Sequence, residues 1–293
     1  MVGRRSVRIT RALIITTIAA LMGAATFGEA PLAARQRGAG TRYTPAPGAK
    51  DLKAVLFNWA WHMGMLRGPQ EIEAVATLEH KATGTIQVGG QPCALTSYRV
   101  STNYQLTGQR VQYSCTRANG QAYKAIEVVS GQHAWDEDVV GAELVARRGK
   151  ATPTPAALVE RLIRLWAGPQ GAPKAAAAGG DKTTVSHDTG KPVVTFPIPG
   201  VPGAVARATL NSQNMAERVE VRQGNVVTEF TYADYADYNN PLNKIDAFYA
   251  GTLVEKRNSV TIRNLKTVET ETGNVYVVMP VPESVRKAAA TQR

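Results

Sequence analysis

Residues 51–67, DLKAVLFNWAWHMGMLR, limit what this chain can fold into more than any other stretch. Leu52, Val55, Leu56, Trp59, Met63 and Leu66 recur at helical spacing and make one apolar face. Phe57, Ala60, Trp61 and Met65 widen that face until little polar surface is left. Asp51 stands where an N-cap is needed, its carboxylate ready for the first free backbone N–H groups. Gly68-Pro69 should end the helix, because proline restricts the residue before it and cannot continue the hydrogen-bond ladder. A helix apolar nearly all round is buried or lies in a membrane. This one is shorter than the roughly 20 residues that span a bilayer, and Lys53, Asn58 and His62 interrupt it. It therefore needs other elements wrapped around it.

Those elements read as strands. Segments 71–79, 81–88, 94–101, 109–117 and 121–129 alternate apolar and polar residues, with Gly89-Gly90, Asn119-Gly120 and Gly131 as punctuation. Asn119-Gly120 predicts a type I′ hairpin, since both residues tolerate positive φ. Short turns between consecutive strands imply an antiparallel meander. A second helix is expected over 154–166, TPAALVERLIRLW, with Leu158, Leu162, Ile163 and Trp166 on its apolar face and Gly168-Pro169 as its stop. Residues 173–181 read as a helix end with a loose turn, and the Pro-rich run 191–203 as an edge strand or surface loop. A second meander follows over 204–210, 216–223, 226–232, 253–257, 259–268 and 276–278, and 284–293 reads as a flexible basic tail.

Arg4, Arg5, Arg8 and Arg11 precede an apolar run over 12–27 and the small-residue tail AATFGEAPLAA, the layout of a secretory signal peptide occupying 1–34. Residues 35–50 read as a flexible leader, and 51–283 as a single domain. Export makes Cys93 and Cys115 a disulfide candidate, because an oxidising compartment favours pairing. A hairpin turning near Tyr104 with paired positions summing to 208 sets the two cysteines opposite each other. The expected location is periplasmic or secreted.

Net charge is +11, of which the first 34 residues contribute +3 and the rest +8. The basic residues are scattered, with no Arg-rich helix or interleaved aromatic strip, so nucleic acid is not an expected partner. Peripheral contact with an anionic membrane surface stays open. His62, His80, His133 and His187 lie far apart, so neither a metal nor a cofactor is expected. The acidic run Asp136-Glu137-Asp138 and the group Asp234/Asp237 among tyrosines read first as solvated or structural. Nothing orients a nucleophile, so an enzyme is unsupported. Phe57, Trp59, Trp61, Met63, Met65, Trp135 and Trp166 are either core or the lining of an apolar ligand cavity; both readings place them inside.

The order of elements, with VVSGQHAWDED carrying Gly131 and Trp135, the helix ending LWAGP and the later VEVRQGNVVTEFTYADY, resembles the periplasmic lipoprotein-carrier superfamily, the LolA/LolB-like fold also seen in RseB/MucB-type regulators. The last piece also resembles domains attached to some bacterial exported hydrolases. The resemblance implies an α+β, mainly β fold: a strongly curved antiparallel sheet, or half-open barrel, with helices packed on its concave face. It also implies that a lipid or acylated protein binds in that concavity. The alternative is an envelope interaction or sensor module with a protein partner, the same fold and no small ligand.

Overall fold

The computed structural model describes residues 43–67, 72–187, 190–242, 246–273 and 277–291, and the expected signal peptide lies outside them. Helix α1 is Leu52–His62. Asp51 caps it, its carboxylate accepting the Ala54 N–H at 3.0 Å. The helix ends sooner than its apolar pattern implies, because Gly64 takes φ +67° and the Met65 N–H turns back to the Ala60 carbonyl at 2.9 Å. A Cβ at Gly64 would stand 1.9 Å from the Asp246 carbonyl oxygen, so only glycine fits there. The chain then enters β1 (Leu66–Arg67), which pairs with β2 (Ile72–Glu73). The expected stop at Gly68-Pro69 lies outside the described residues.

Six strands follow as an antiparallel meander: β3 (Thr77–Val88), β4 (Gln91–Asn103), β5 (Gly108–Arg117), β6 (Ala122–Ser130), β7 (His133–Glu137) and β8 (Ala151–Pro153). Helices α2 (Leu158–Ala167) and α3 (Gly171–Ala178) come next. A second run contains β9 (Thr184–Ser186), β10 (Val193–Pro197), β11 (Val205–Leu210), β12 (Ala216–Gln223) and β13 (Val226–Ala233). A small ribbon of β14 (Ala236–Asp237) and β15 (Phe248–Tyr249) precedes β16 (Thr252–Arg257) and β17 (Val260–Thr272). Strand β17 pairs with β3, which fuses both runs into one thirteen-stranded sheet of order β8-β7-β6-β5-β4-β3-β17-β16-β13-β12-β11-β10-β9. The end strands β8 and β9 do not pair with each other, so the sheet is open. The mainly β, α+β class holds.

Several local expectations are corrected. Arg117 and Gln121 close a three-residue loop in which Gly120 is left-handed and Asn119 is not, so one positive φ does the work of the expected type I′ pair. The run 173–181 is mostly helix α3, and Pro173 is tolerated because it sits in the first turn. Strand β10 lies between β9 and β11, not at an edge, because four residues free of proline separate Pro192 from Pro197. The expected flexible tail instead forms α4 (Glu283–Thr291), which packs on β7 and β8 through Val285. Part of the expected leader is also placed, since Tyr43 meets Phe57 ring to ring at 5.2 Å.

Cys93 and Cys115 form a disulfide, with Cα atoms 5.5 Å apart. The register differs from expectation: Cys93 faces Arg117 and Leu95 faces Cys115, because the hairpin turns through residues 104–107 with Asn103 facing Gly108, further along the chain than Tyr104, and the bulge between Leu95 and Ser97 recovers only one residue of that offset. The two cysteines bridge diagonally across β4 and β5. Replacing both with alanine should lower the unfolding free energy by about 3 kcal/mol, by restoring loop entropy to the unfolded chain. Urea denaturation of both forms checks this, and equal midpoints would refute it.

Candidate functional site

Helices α1, α2 and α3 cover one face of the second run of strands. Val55 and Trp59 of α1, Met63 just past its end, and Leu162, Leu165 and Trp166 of α2 share a core with Phe196, Val219, Val221 and Phe230. Helix α2 is buried on more than its apolar stripe. Arg161 reaches under β6 and β7, donating to the Val128 carbonyl at 2.9 Å, the Trp135 carbonyl at 2.7 Å and the Asp136 carboxylate at 2.5 Å.

One turn on, Arg164 enters an ionic network that crosses the helix-bearing face. It donates to Glu255 of β16 at 3.2 Å and to Glu160 at 2.6 Å, and stands 3.6 Å from Glu127 of β6. Arg263 of β17 lies 3.5 Å from Glu255 and 3.5 Å from Glu127, and donates to the Tyr98 hydroxyl at 2.9 Å. Glu255 is 1% exposed, and the two guanidinium groups that face it offset the cost of burying a carboxylate. Burial opposes the charge of Glu127, but Arg263, Arg164 and Arg161 outweigh it and hold its carboxyl below the usual range. Burial likewise opposes the charge of Glu160, yet Arg164 and Arg257 bring it down to about 2. Burial also works against the charge of Arg164, and Glu255, Glu160 and Glu127 more than offset it.

Beside this network is a cavity of about 30 Å³, walled by Leu78, Val100, Tyr104, Leu165, Phe230, Tyr232 and Leu265 with Arg164, Glu255 and Arg263 at one side. That volume admits a water or two and no acyl chain. His80 also lines it, its Nδ1 3.4 Å from the Tyr249 hydroxyl. Burial, then the nearby Arg263, holds the His80 pKa at about 3, so the imidazole is neutral at physiological pH. Above the sheet, the indole N–H groups of Trp59 and Trp166 are buried without an acceptor among the described residues.

The sequence-predicted candidates divide by place. Trp59, Met63, Met65 and Trp166 lie in the core between helices and sheet. Phe57 and Trp61 do not: they stack on each other at 5.8 Å on the outer side of α1, and Trp61 is 37% exposed. Trp135 is inside but on the opposite face from α2, packed with Val128, Ala142 and Val285, because its neighbour Asp136 is the residue that meets Arg161. None of the seven lines the cavity. The acids at 136–138 disperse: Asp136 to Arg161, Glu137 to Arg110 and the Trp135 indole, and Asp138 to the Lys150 N–H. Among the described residues, no three His, Cys, Asp or Glu side chains gather as metal ligands, and no helix is long and apolar enough to cross a membrane.

Sequence reasoning missed Glu127, Arg164, Glu255 and Arg263. A signal was available in the strands. Leu253 and Glu255, and Arg263 and Leu265, are two apart on one face, so each charge stands in an apolar register.

In sequence the chain matches no family model and no curated protein. Among solved structures it is similar to a domain described as an outer membrane lipoprotein-sorting protein from Vibrio parahaemolyticus, at 11% identity and a TM-score of 0.41, over 81% of this chain and 98% of that one.

Proposed function

We propose that this is an exported envelope protein that binds an apolar ligand, a lipid or the acyl chain of a lipoprotein, between its helices and the concave face of a half-open barrel. The observation that carries the reading is the helix–sheet seam, an apolar interface that ends in an aromatic-walled cavity and buries two indole N–H donors without acceptors among the described residues. Buried donors left unpaired cost about 1–3 kcal/mol each, so a core that keeps them invites a functional explanation. A ligand carbonyl entering the seam would satisfy them.

Curvature is supported by the contact of Arg263 with Glu127 at 3.5 Å. Their strands, β17 and β6, are four steps apart in the sheet. In a flat sheet that separation is about 19 Å, beyond the combined reach of the two side chains. The disulfide supports an oxidising compartment. Because the cavity is small, an acyl chain must part α1 and α2 from the sheet. Burial of a C16 chain at about 0.8 kcal/mol per CH₂ supplies up to roughly 12 kcal/mol toward that opening.

Native mass spectrometry with lipid extraction, on protein purified from an envelope fraction, tests the proposal. The expected result is a stoichiometric acyl-chain adduct, reduced at least about tenfold in Val100→Phe, which fills the cavity, and unchanged in Trp61→Glu, which alters the outer side of α1. A bare mass after incubation with envelope lipids would sink the proposal, as would an adduct indifferent to Val100→Phe.

A further inference from the structure

We infer that the loop joining β7 to β8, residues 138–150, is a membrane-docking tip for an anionic lipid surface. The inference has its own observations and goes beyond the ligand reading. The loop reads DVVGAELVARRGK, and Val139, Val140, Leu144 and Val145 are 39%, 41%, 46% and 57% exposed. Arg147, Arg148 and Lys150 beside them are exposed as well.

These aliphatic groups do not face water because the loop is loosely held. The Glu143 N–H donates to the Arg148 carbonyl at 2.8 Å and the Arg148 N–H to the Val145 carbonyl at 3.0 Å, which folds 143–148 into a tight turn. Ala142 is fully buried in the cluster with Trp135 and Val285 and anchors the loop to the fold. Gly149 is left-handed at φ +68°, and a Cβ there would stand 2.3 Å from Val139 Cγ2, so the base closes tightly on itself. A loop this well bonded holds its aliphatic side chains outward.

Charge is sorted along the same loop. The two acids are held at the base of the loop by backbone hydrogen bonds: Asp138 accepts the Lys150 N–H at 2.7 Å and Glu143 accepts the Ala151 N–H at 2.9 Å. The tip 144–149 carries Arg147 and Arg148 and no acid, while Lys150 and Asp138 pair at the base of the loop. Exposed apolar groups rimmed by polar ones mark an interaction surface. Protein hot spots centre on Trp, Tyr and Arg seated in pockets, whereas this tip has aliphatic groups and no aromatic ring. Aliphatic side chains that enter the acyl boundary, beside cations that meet anionic headgroups, match a lipid surface.

Co-sedimentation of the full chain with vesicles tests this, using equal parts phosphatidylglycerol and phosphatidylcholine, and phosphatidylcholine alone. The chain should bind the anionic vesicles and lose that binding as salt rises. Leu144→Glu with Val145→Glu should cut binding at least about tenfold, and Arg147→Glu with Arg148→Glu should remove the preference for the anionic vesicles. Val268→Glu, an exposed strand position, should change nothing, and the loop variants should keep any bound acyl ligand, which separates this inference from the cavity reading. Absence of vesicle binding, or loop variants that sediment like the parent, would overturn it. So would loop variants that lose a cross-linked protein partner while the parent ignores vesicles.

Discussion

Glu255→Gln should lower the unfolding free energy by about 3–5 kcal/mol, the usual cost of removing one partner from a buried ion pair. Glu255 is enclosed between Arg164 and Arg263 at 3.2 and 3.5 Å. Glutamine keeps the shape but withdraws the charge, so two guanidinium groups must share Glu127 and Glu160. Desolvation makes this expensive, since the side chains of Arg164 and Arg263 are only 10% and 7% exposed. The cost comes from the stranded cations rather than from a large net gain by the pairs. The double change Glu255→Leu with Arg263→Met should accordingly recover most of the loss, because it removes one charge of each sign. Urea denaturation of parent, single and double variants measures both. A single variant within about 0.5 kcal/mol of the parent would show that the network does not hold the two runs of strands together.

Acidification should destabilise the protein through His80. Its folded pKa of about 3 lies below the ordinary 6.5, so the unfolded chain binds the proton more readily. Stability from this group is therefore complete above pH 6.5 and declines as pH falls toward 3. One residue shifted this far accounts for a loss of up to roughly 4–5 kcal/mol across that window, at 1.36 kcal/mol per unit. Glu160, held down to about 2 by Arg164 and Arg257 against the effect of burial, adds its own loss below about pH 4.5. His80→Gln separates the two: it keeps an acceptor for the Tyr249 hydroxyl but cannot take up a proton. Between about pH 6.5 and 5, where carboxylates contribute little, the variant should show a nearly flat stability profile. A parent profile equally flat in that range would mean that His80 is not neutral and buried in solution.

Much of the architecture was legible because it rests on short-range chemistry. Asp51 caps α1 as its side chain allows, Cys93 and Cys115 meet across one hairpin, and Gly168-Pro169 follows the end of α2. The end of α1 was open to reading too, since Gly64 precedes the proline and closes the helix by its left-handed conformation. The candidate site was less accessible. Helical spacing placed Trp61 in a continuous apolar stripe, but a helix against a sheet buries only the side that meets it, and Trp61 faces away. Trp135 alternates correctly along β7, yet alternation does not say which of two covered faces the helices occupy.

By itself the sequence determined the N-cap of α1, the stop of α2, the antiparallel meanders and the cysteine pair, all of which depend on neighbours within one helix or one hairpin. Only the tertiary structure decided that β17 closes against β3, that α2 lies where Arg161 and Arg164 reach separate strands, and that Glu127, Glu255 and Arg263 converge. Glu127 and Arg263 are brought together by strand pairings between residues far apart in the chain. No local period encodes such pairings, because they are settled by which apolar faces can be buried together at the least cost in unpaired polar groups.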